Sequence, residues 1–314
     1  STLFPYTTLF RSDRDCRSYV GKGVIRMKTI TYAEAINEAM KEEMRRCEDV
    51  FFIGEDIGIY HQGKGPSGAS IGMLEEFGPE RVIETPIEES AIVGGSAGAA
   101  LCGLRPVIEI MHSEFLCHCF EHVFYGGTKG AVMTDGHPFP LVIRGPYGGK
   151  TNGQLVQDEN NEAWFRAAPG LKIVAPSTPA DAKGMMKAAI RDDYPVLFME
   201  HKGLYKEKGE VPEEEYVLPL NKADIKKEGT DVSVITYGRM VHVALEAAKA
   251  LADEGINIEV VDLRSISPLD EETITGSVKK TGKAVIFHEA RRNGGIGGEV
   301  AAIIAEQAFD SLKA

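Results

Sequence analysis

Five short apolar segments of this sequence each give way to side chains that could transfer protons or bind a polar ligand. Glu55 and Asp56 follow residues 50–53, and Glu88 and Glu89 follow 81–84. His112 and Glu114 follow 106–111, Arg144 and Tyr147 close and follow 140–144, and His201 and Lys202 follow 195–200. If these segments are parallel strands, their carboxyl ends share one edge of a sheet, where open α/β folds bind ligands. Carboxylates and histidines gathered there suit general acid–base work. Strand ends that merely meet solvent would be polar too, so both readings stand at this point.

Two other clusters carry less chemistry. His112, Cys117, His118, Cys119 and His122 are suitable metal ligands by type. A helix beginning at Phe115 would turn Cys117 and Cys119 to different faces, leaving only His118 and His122 together at i, i+4. Gly294-Gly-Ile-Gly-Gly follows an expected strand and opens an expected helix but lacks the full GxGxxG spacing of a nucleotide loop.

The elements that would position these residues alternate in period. Helix-period patterns cover 33–46, 90–102, 115–133, 159–166 and 178–191, and strand-like runs cover 50–53, 81–84, 106–111, 140–144, 171–174 and 195–200. This alternation predicts a mostly parallel sheet with helices on both faces. Residues 206–229 turn charged and irregular, as expected of a linker. A second alternating domain over 230–314 follows, with strands at 232–236, 256–261 and 284–287 and helices at 241–253, 270–279 and 298–311. Residues 1–26 lack either period and are read as a disordered or non-native tail ahead of Met27.

Composition excludes several functions. With 43% hydrophobic and 26% charged residues, the 314-residue chain is an ordinary globular protein of two domains. Its 47 acidic against 35 basic residues, net charge -12, argue against a nucleic-acid or anionic-membrane surface. No apolar run approaches the roughly 18 residues of a membrane span. Five unevenly spaced cysteines fit a reducing, cytoplasmic setting better than a disulfide framework.

Specific motif text narrows the reading. RVIETPIEESA (81–91), the small-residue run GGSAGAA (94–100) and GLRPVIE (103–109) closely resemble the beta subunits of thiamine-diphosphate-dependent pyruvate, acetoin and branched-chain 2-oxoacid dehydrogenases. The resemblance continues through PGLKIVAP (169–176), DAKG (181–184), AAIRDDYPV (188–196), VVDLRSISPLD (260–270) and GGIGGE (294–299). It implies an α/β chain of two domains: a pyrimidine-type, thiamine-diphosphate-binding parallel-sheet domain over 27–205 and a transketolase C-terminal-like domain over 230–314. By the same resemblance the latter is expected to be cut short relative to the family.

The same resemblance implies roles. Glu89 would hydrogen-bond a ring nitrogen of the cofactor's aminopyrimidine, a place that needs a carboxylic acid able to share a proton. Its bland alternative is a first-turn acid stabilised by the helix dipole. Phe115, 26 residues later, would pack its ring on the aminopyrimidine, and Glu55 would be a cofactor-side or subunit-contact carboxylate. Glycines in the helix from about 90 each cost roughly 1 kcal/mol against alanine, which implies close approach by a partner subunit or a buried core helix. Where the family usually carries an active-site histidine, this chain has Gln157, which cannot shuttle a proton near neutral pH. His112 or His201 could supply that function instead, and Arg144 would lie on the substrate or lipoyl side. A potassium ion would sit on backbone carbonyls at Leu141, Ala189, Ile190, Asp192 and Tyr194. The sequence has no Gly-Asp-Gly segment with following asparagines for magnesium and diphosphate. That half would come from an alpha subunit in an assembly of two alpha and two beta chains, serving a lipoyl-bearing dihydrolipoyl acyltransferase. The implied reaction is oxidative decarboxylation of a 2-oxoacid, or acetoin cleavage, with acyl transfer to a lipoyl group. A transketolase-like carbon–carbon transfer or lyase, and a non-catalytic assembly subunit, are the alternatives.

Overall fold

The computed structural model describes residues 26–58, 67–124, 138–149 and 159–313. Gln157 and all but Arg26 of the 1–26 segment lie outside them. The first domain runs β1 (Met27–Thr31), α1 (Tyr32–Arg46), β2 (Val50–Glu55), α2 (Met73–Phe77), β3 (Val82–Thr85), α3 (Glu89–Leu101) and β4 (Arg105–Glu109). A 3₁₀ helix (Ser113–Cys119), β5 (Val142–Tyr147), α4 (Glu162–Phe165), β6 (Lys172–Val174), α5 (Pro179–Arg191) and β7 (Val196–His201) follow.

Every residue of β5 and β7 is buried, as in a parallel sheet covered on both faces. On one face, Ile36, Met40 and Met44 of α1 and Met185, Met186 and Ile190 of α5 pack over Phe52, Val107, Val142 and Phe198. Local chemistry fixes where α1 starts: Thr31 accepts a hydrogen bond from the Glu34 backbone while the Glu34 carboxylate accepts one from the Thr31 backbone, a capping box. On the other face, Ile92, Val93, Ala97 and Ala100 of α3 cover Ile108, Ile143 and Leu197.

The 206–229 stretch, expected as an irregular linker, is instead built into both domains. β8 (Lys208–Pro212) pairs antiparallel with β1. β9 (Asp224–Lys227) edges the second sheet. Charge was a misleading cue there, because these charges have partners. Glu215 pairs with Lys187 and Arg191 of α5, and Lys226 reaches Asp181 at 2.6 Å.

The second domain comprises β10 (Val232–Thr236), α6 (Met240–Ala252), β11 (Ile258–Asp262), β12 (Ser265–Ser267), α7 (Glu271–Thr281), β13 (Ala284–Ile286) and α8 (Gly297–Gln307). Its sheet has the order β13-β10-β11-β9, and the main sheet the order β12-β6-β7-β5-β4-β2-β3. β12 therefore leaves its own domain and pairs antiparallel with β6. Three residues are too few to show period in a sequence. The core behind α3 also runs on without a break into Ile235, Val261, Ile274 and Val300, so the two domains share it. Among the described residues no helix is long and apolar enough to cross a membrane.

Candidate active site at the strand ends

The carboxyl ends of β2, β3 and β4 bring two carboxylates together. Glu55 ends β2, and Glu89 opens α3 just beyond β3. They are 2% and 5% exposed, so each has been taken out of water near a like charge. One Glu55 oxygen, Oε1, has no hydrogen-bond partner among the described residues. Burial first, then the Glu89 and Asp56 charges, push the Glu55 carboxyl up to about 7, partly opposed by a hydrogen bond from the Glu88 backbone. Glu55 thus holds its proton into the neutral range while an acidic neighbour faces it. The glycine preceding Glu55 is forced by packing: a Cβ on Gly54 would lie 2.7 Å from the Glu109 carbonyl of β4.

Phe115 and two histidines complete this corner. The expected α-helix from 115 is a 3₁₀ helix through Cys119, in which residues three apart eclipse one another. Phe115 and His118 accordingly stack, with centroids 5.9 Å apart and planes 9° from parallel. His112 meets Phe115 edge-on at 5.6 Å. His118 Nδ1 lies 3.2 Å from Glu89 Oε2, a contact that no sequence pattern announced. His122 turns elsewhere, placing Nε2 3.0 Å from the Ser90 hydroxyl. Its ring also explains one helix glycine, because a Cβ on Gly94 would sit 3.1 Å from it. The histidines and cysteines of this segment therefore diverge: Cys119 is buried and Cys117 exposed. Among the described residues no group of three or more His, Cys, Asp or Glu could hold a metal.

Three other expectations meet different surroundings. Arg144, expected on the substrate side, has no exposed surface. Its guanidinium makes a two-pronged contact with Glu200 at 2.6 and 2.9 Å and a further one with Glu109. Burial raises the Glu109 carboxyl, against the pull of Arg144. A buried guanidinium needs such partners, and in the isolated chain this one props β4, β5 and β7 together from inside. His201 is tied across the domain boundary: Nε2 lies 2.7 Å from Glu289, and Nδ1 accepts from the Gly203 backbone. Both its nitrogens are thereby committed.

At the carbonyls expected around potassium, Arg105 donates to Ile190 and Asp192 at 3.0 Å each. The Leu141 carbonyl accepts from the Val196 backbone at 2.8 Å, and that of Ala189 from Asp192 at 3.3 Å. These carbonyls are thus engaged by the Arg105 guanidinium and by backbone donors, each keeping a second lone pair.

The pair of buried acids next to an aromatic ring fits the cofactor that the motif text implies. An acid that is to meet a ring nitrogen must be withdrawn from water, and the Glu55 oxygen without a partner among the described residues leaves polar capacity in the same corner. Comparison with known proteins agrees with the fold and the motifs. Residues 28–208 match the family described as transketolase, pyrimidine binding domain, and residues 221–314 match transketolase, C-terminal domain. The chain is 48% identical over 290 residues to a 2-oxoisovalerate dehydrogenase subunit beta of Bacillus subtilis (strain 168), covering 92% of this chain and 88% of that one. With the same coverage it is 42% identical to a pyruvate dehydrogenase E1 component subunit beta of Staphylococcus epidermidis. An acetoin:2,6-dichlorophenolindophenol oxidoreductase subunit beta of Bacillus subtilis (strain 168) is 42% identical, covering 91% and 87%. A solved split-gene transketolase, an inactive beta4 tetramer, superposes with a TM-score of 0.73 over 89% of this chain and 85% of its own, at 24% identity, and so bears on the fold alone. The chain belongs to the beta-subunit family of the 2-oxoacid dehydrogenases, built from transketolase-type pyrimidine-binding and C-terminal domains.

Proposed function

We propose that this chain is the beta subunit of a thiamine-diphosphate-dependent dehydrogenase that decarboxylates a 2-oxoacid, or cleaves acetoin, and passes the acyl group to a lipoyl acceptor. The observation that carries this is the burial of Glu89 at the first turn of α3, facing Glu55 and flanked by the Phe115 corner. Thiamine diphosphate, when bound, supplies the carbon nucleophile and the electron sink for decarboxylation. Glu89 would hold a proton between its carboxylate and a ring nitrogen of that cofactor. Phe115 would offer flat apolar surface to the same ring, and Glu55, protonated near neutrality, would keep a second negative charge away from Glu89.

A partner chain would hold magnesium and the diphosphate. The exposed face of α3 supports such a partner. Ala91, Gly95, Gly98 and Leu101 are all exposed on it, and Ile87 and Leu104 flank it at 75% and 40% exposure. A helix apolar all round is normally covered, and space is open where a Cβ would stand on Gly95 and Gly98. An alpha subunit closing on this face in a two-alpha, two-beta assembly would account for both features. Potassium on the carbonyls of Leu141, Ala189, Ile190, Asp192 and Tyr194 would brace the base of β5 and β7.

Co-expression with an alpha-type chain, followed by thiamine-dependent reduction of an artificial acceptor with pyruvate, branched-chain 2-oxoacids and acetoin, tests this reading. Glu89→Gln should assemble normally and lose at least about a hundredfold in turnover, the usual scale for a proton-transfer group. Full activity in that variant would sink the assignment.

A further inference from the structure

We propose that His118 is a positioning residue for Glu89, donating its Nδ1 proton to Glu89 Oε2 and so fixing which carboxylate oxygen is left to meet the cofactor ring. This inference rests on the function proposed for Glu89. Three observations carry it. The Nδ1 to Oε2 separation is 3.2 Å, hydrogen-bond distance, while Glu89 is almost fully buried. The imidazole has its plane set by the stack on Phe115, which is itself braced edge-on by His112. The 3₁₀ turn eclipses residues three apart, which brings 118 into line with 115.

Where a Glu89 carboxylate oxygen is the acceptor, the His118 Nδ1 facing it carries the proton, and the ring stands on a side chain that is 63% exposed. The other groups around Glu89 do not duplicate this contact. Glu55 from β2, Asp56 just after it and Glu88 at the helix start are all acids. Cys119 beside it holds its thiol proton, pushed up to about 12 by burial. His122 is committed to Ser90. Among the described residues, His118 is therefore the neighbour whose contact with Glu89 supplies a ring N–H.

The test uses the full chain and the assembled complex. In the full chain, nitrogen-15 shifts of the His118 ring should show the Nδ1–H tautomer in wild type and its loss in Glu89→Leu. In the complex, His118→Ala should lower kcat roughly threefold to tenfold, the scale of one half-exposed charge-assisted hydrogen bond, with little change in substrate KM. His118→Gln, whose amide can still donate, should recover most of that loss. A tautomer indifferent to Glu89, a wild-type kcat in His118→Ala, or a His118→Gln no better than alanine would each overturn the proposal. Full activity of Glu89→Gln would instead overturn the functional reading beneath it. Because the His118 side chain is exposed, thermal midpoints of these variants should match wild type, which separates the effect from unfolding.

Discussion

Replacing Glu55 by glutamine should make the protein more stable at alkaline pH and flatten its pH dependence. Glu55 holds its proton to about 7 in the folded chain against an ordinary 4.5. Between those values the native state binds more protons than the unfolded chain, so this group's contribution is present below about 4.5 and is lost as pH rises through 7. At about 1.36 kcal/mol per pH unit the interval sets a ceiling of about 3.4 kcal/mol. Relaxation and water near the exposed Glu88 lower this, and roughly 1–2 kcal/mol is the expected penalty of the ionised form at pH 8. Urea denaturation of the full chain at pH 5 and pH 8 measures it. Wild type should lose roughly 1–2 kcal/mol more than Glu55→Gln between the two. Asp262, raised to about 7 chiefly by burial, adds the same slope to both proteins and cancels in the difference. Parallel curves would show that Glu55 does not titrate in this environment, and the account of the paired acids would fail with it.

Gly98→Leu should stabilise the isolated chain slightly, since leucine is the better helix former, and should abolish co-purification with the alpha-type chain by filling the open space on α3. Retained assembly would mean that α3 is not a contact face. Potassium at about ten times its dissociation constant should raise the thermal midpoint by about 2–4 °C relative to choline. No shift, together with a lowered midpoint in Arg105→Met that potassium fails to restore, would assign this corner to the guanidinium alone.

What the sequence made legible follows the range over which each signal acts. α1 and α5 came within a residue or two of their expected bounds because each combines a capping side chain with a long apolar face. The parallel strands of the main sheet were legible as apolar runs, since both faces of β5 and β7 at its centre are covered. The pairings of β8 with β1 and of β12 with β6 depend on chain brought back from far away, and charge along 206–229 pointed the wrong way because its partners lie on α5 and β11. Arg144 shows the same limit in the site. A polar residue at a strand end reads as ligand-facing, yet two acids on neighbouring strands, Glu109 and Glu200, enclose it.

His118 marks where sequence reading fails for a physical reason. Read with an α-helical period, it shares a face with His122 and suggests a metal. Folded as 3₁₀, the same segment shortens the repeat from 3.6 residues to three, so His118 aligns with Phe115 and turns to Glu89 while His122 goes to Ser90. Nothing in residues 113–119 favours the tighter turn by composition. The site therefore depends on how the segment after β4 packs beneath α3, where Gly94 leaves room for the His122 ring. If that packing sets the turn, Gly94→Val should push His122 out and disturb the Glu89–His118 contact through a residue that touches neither.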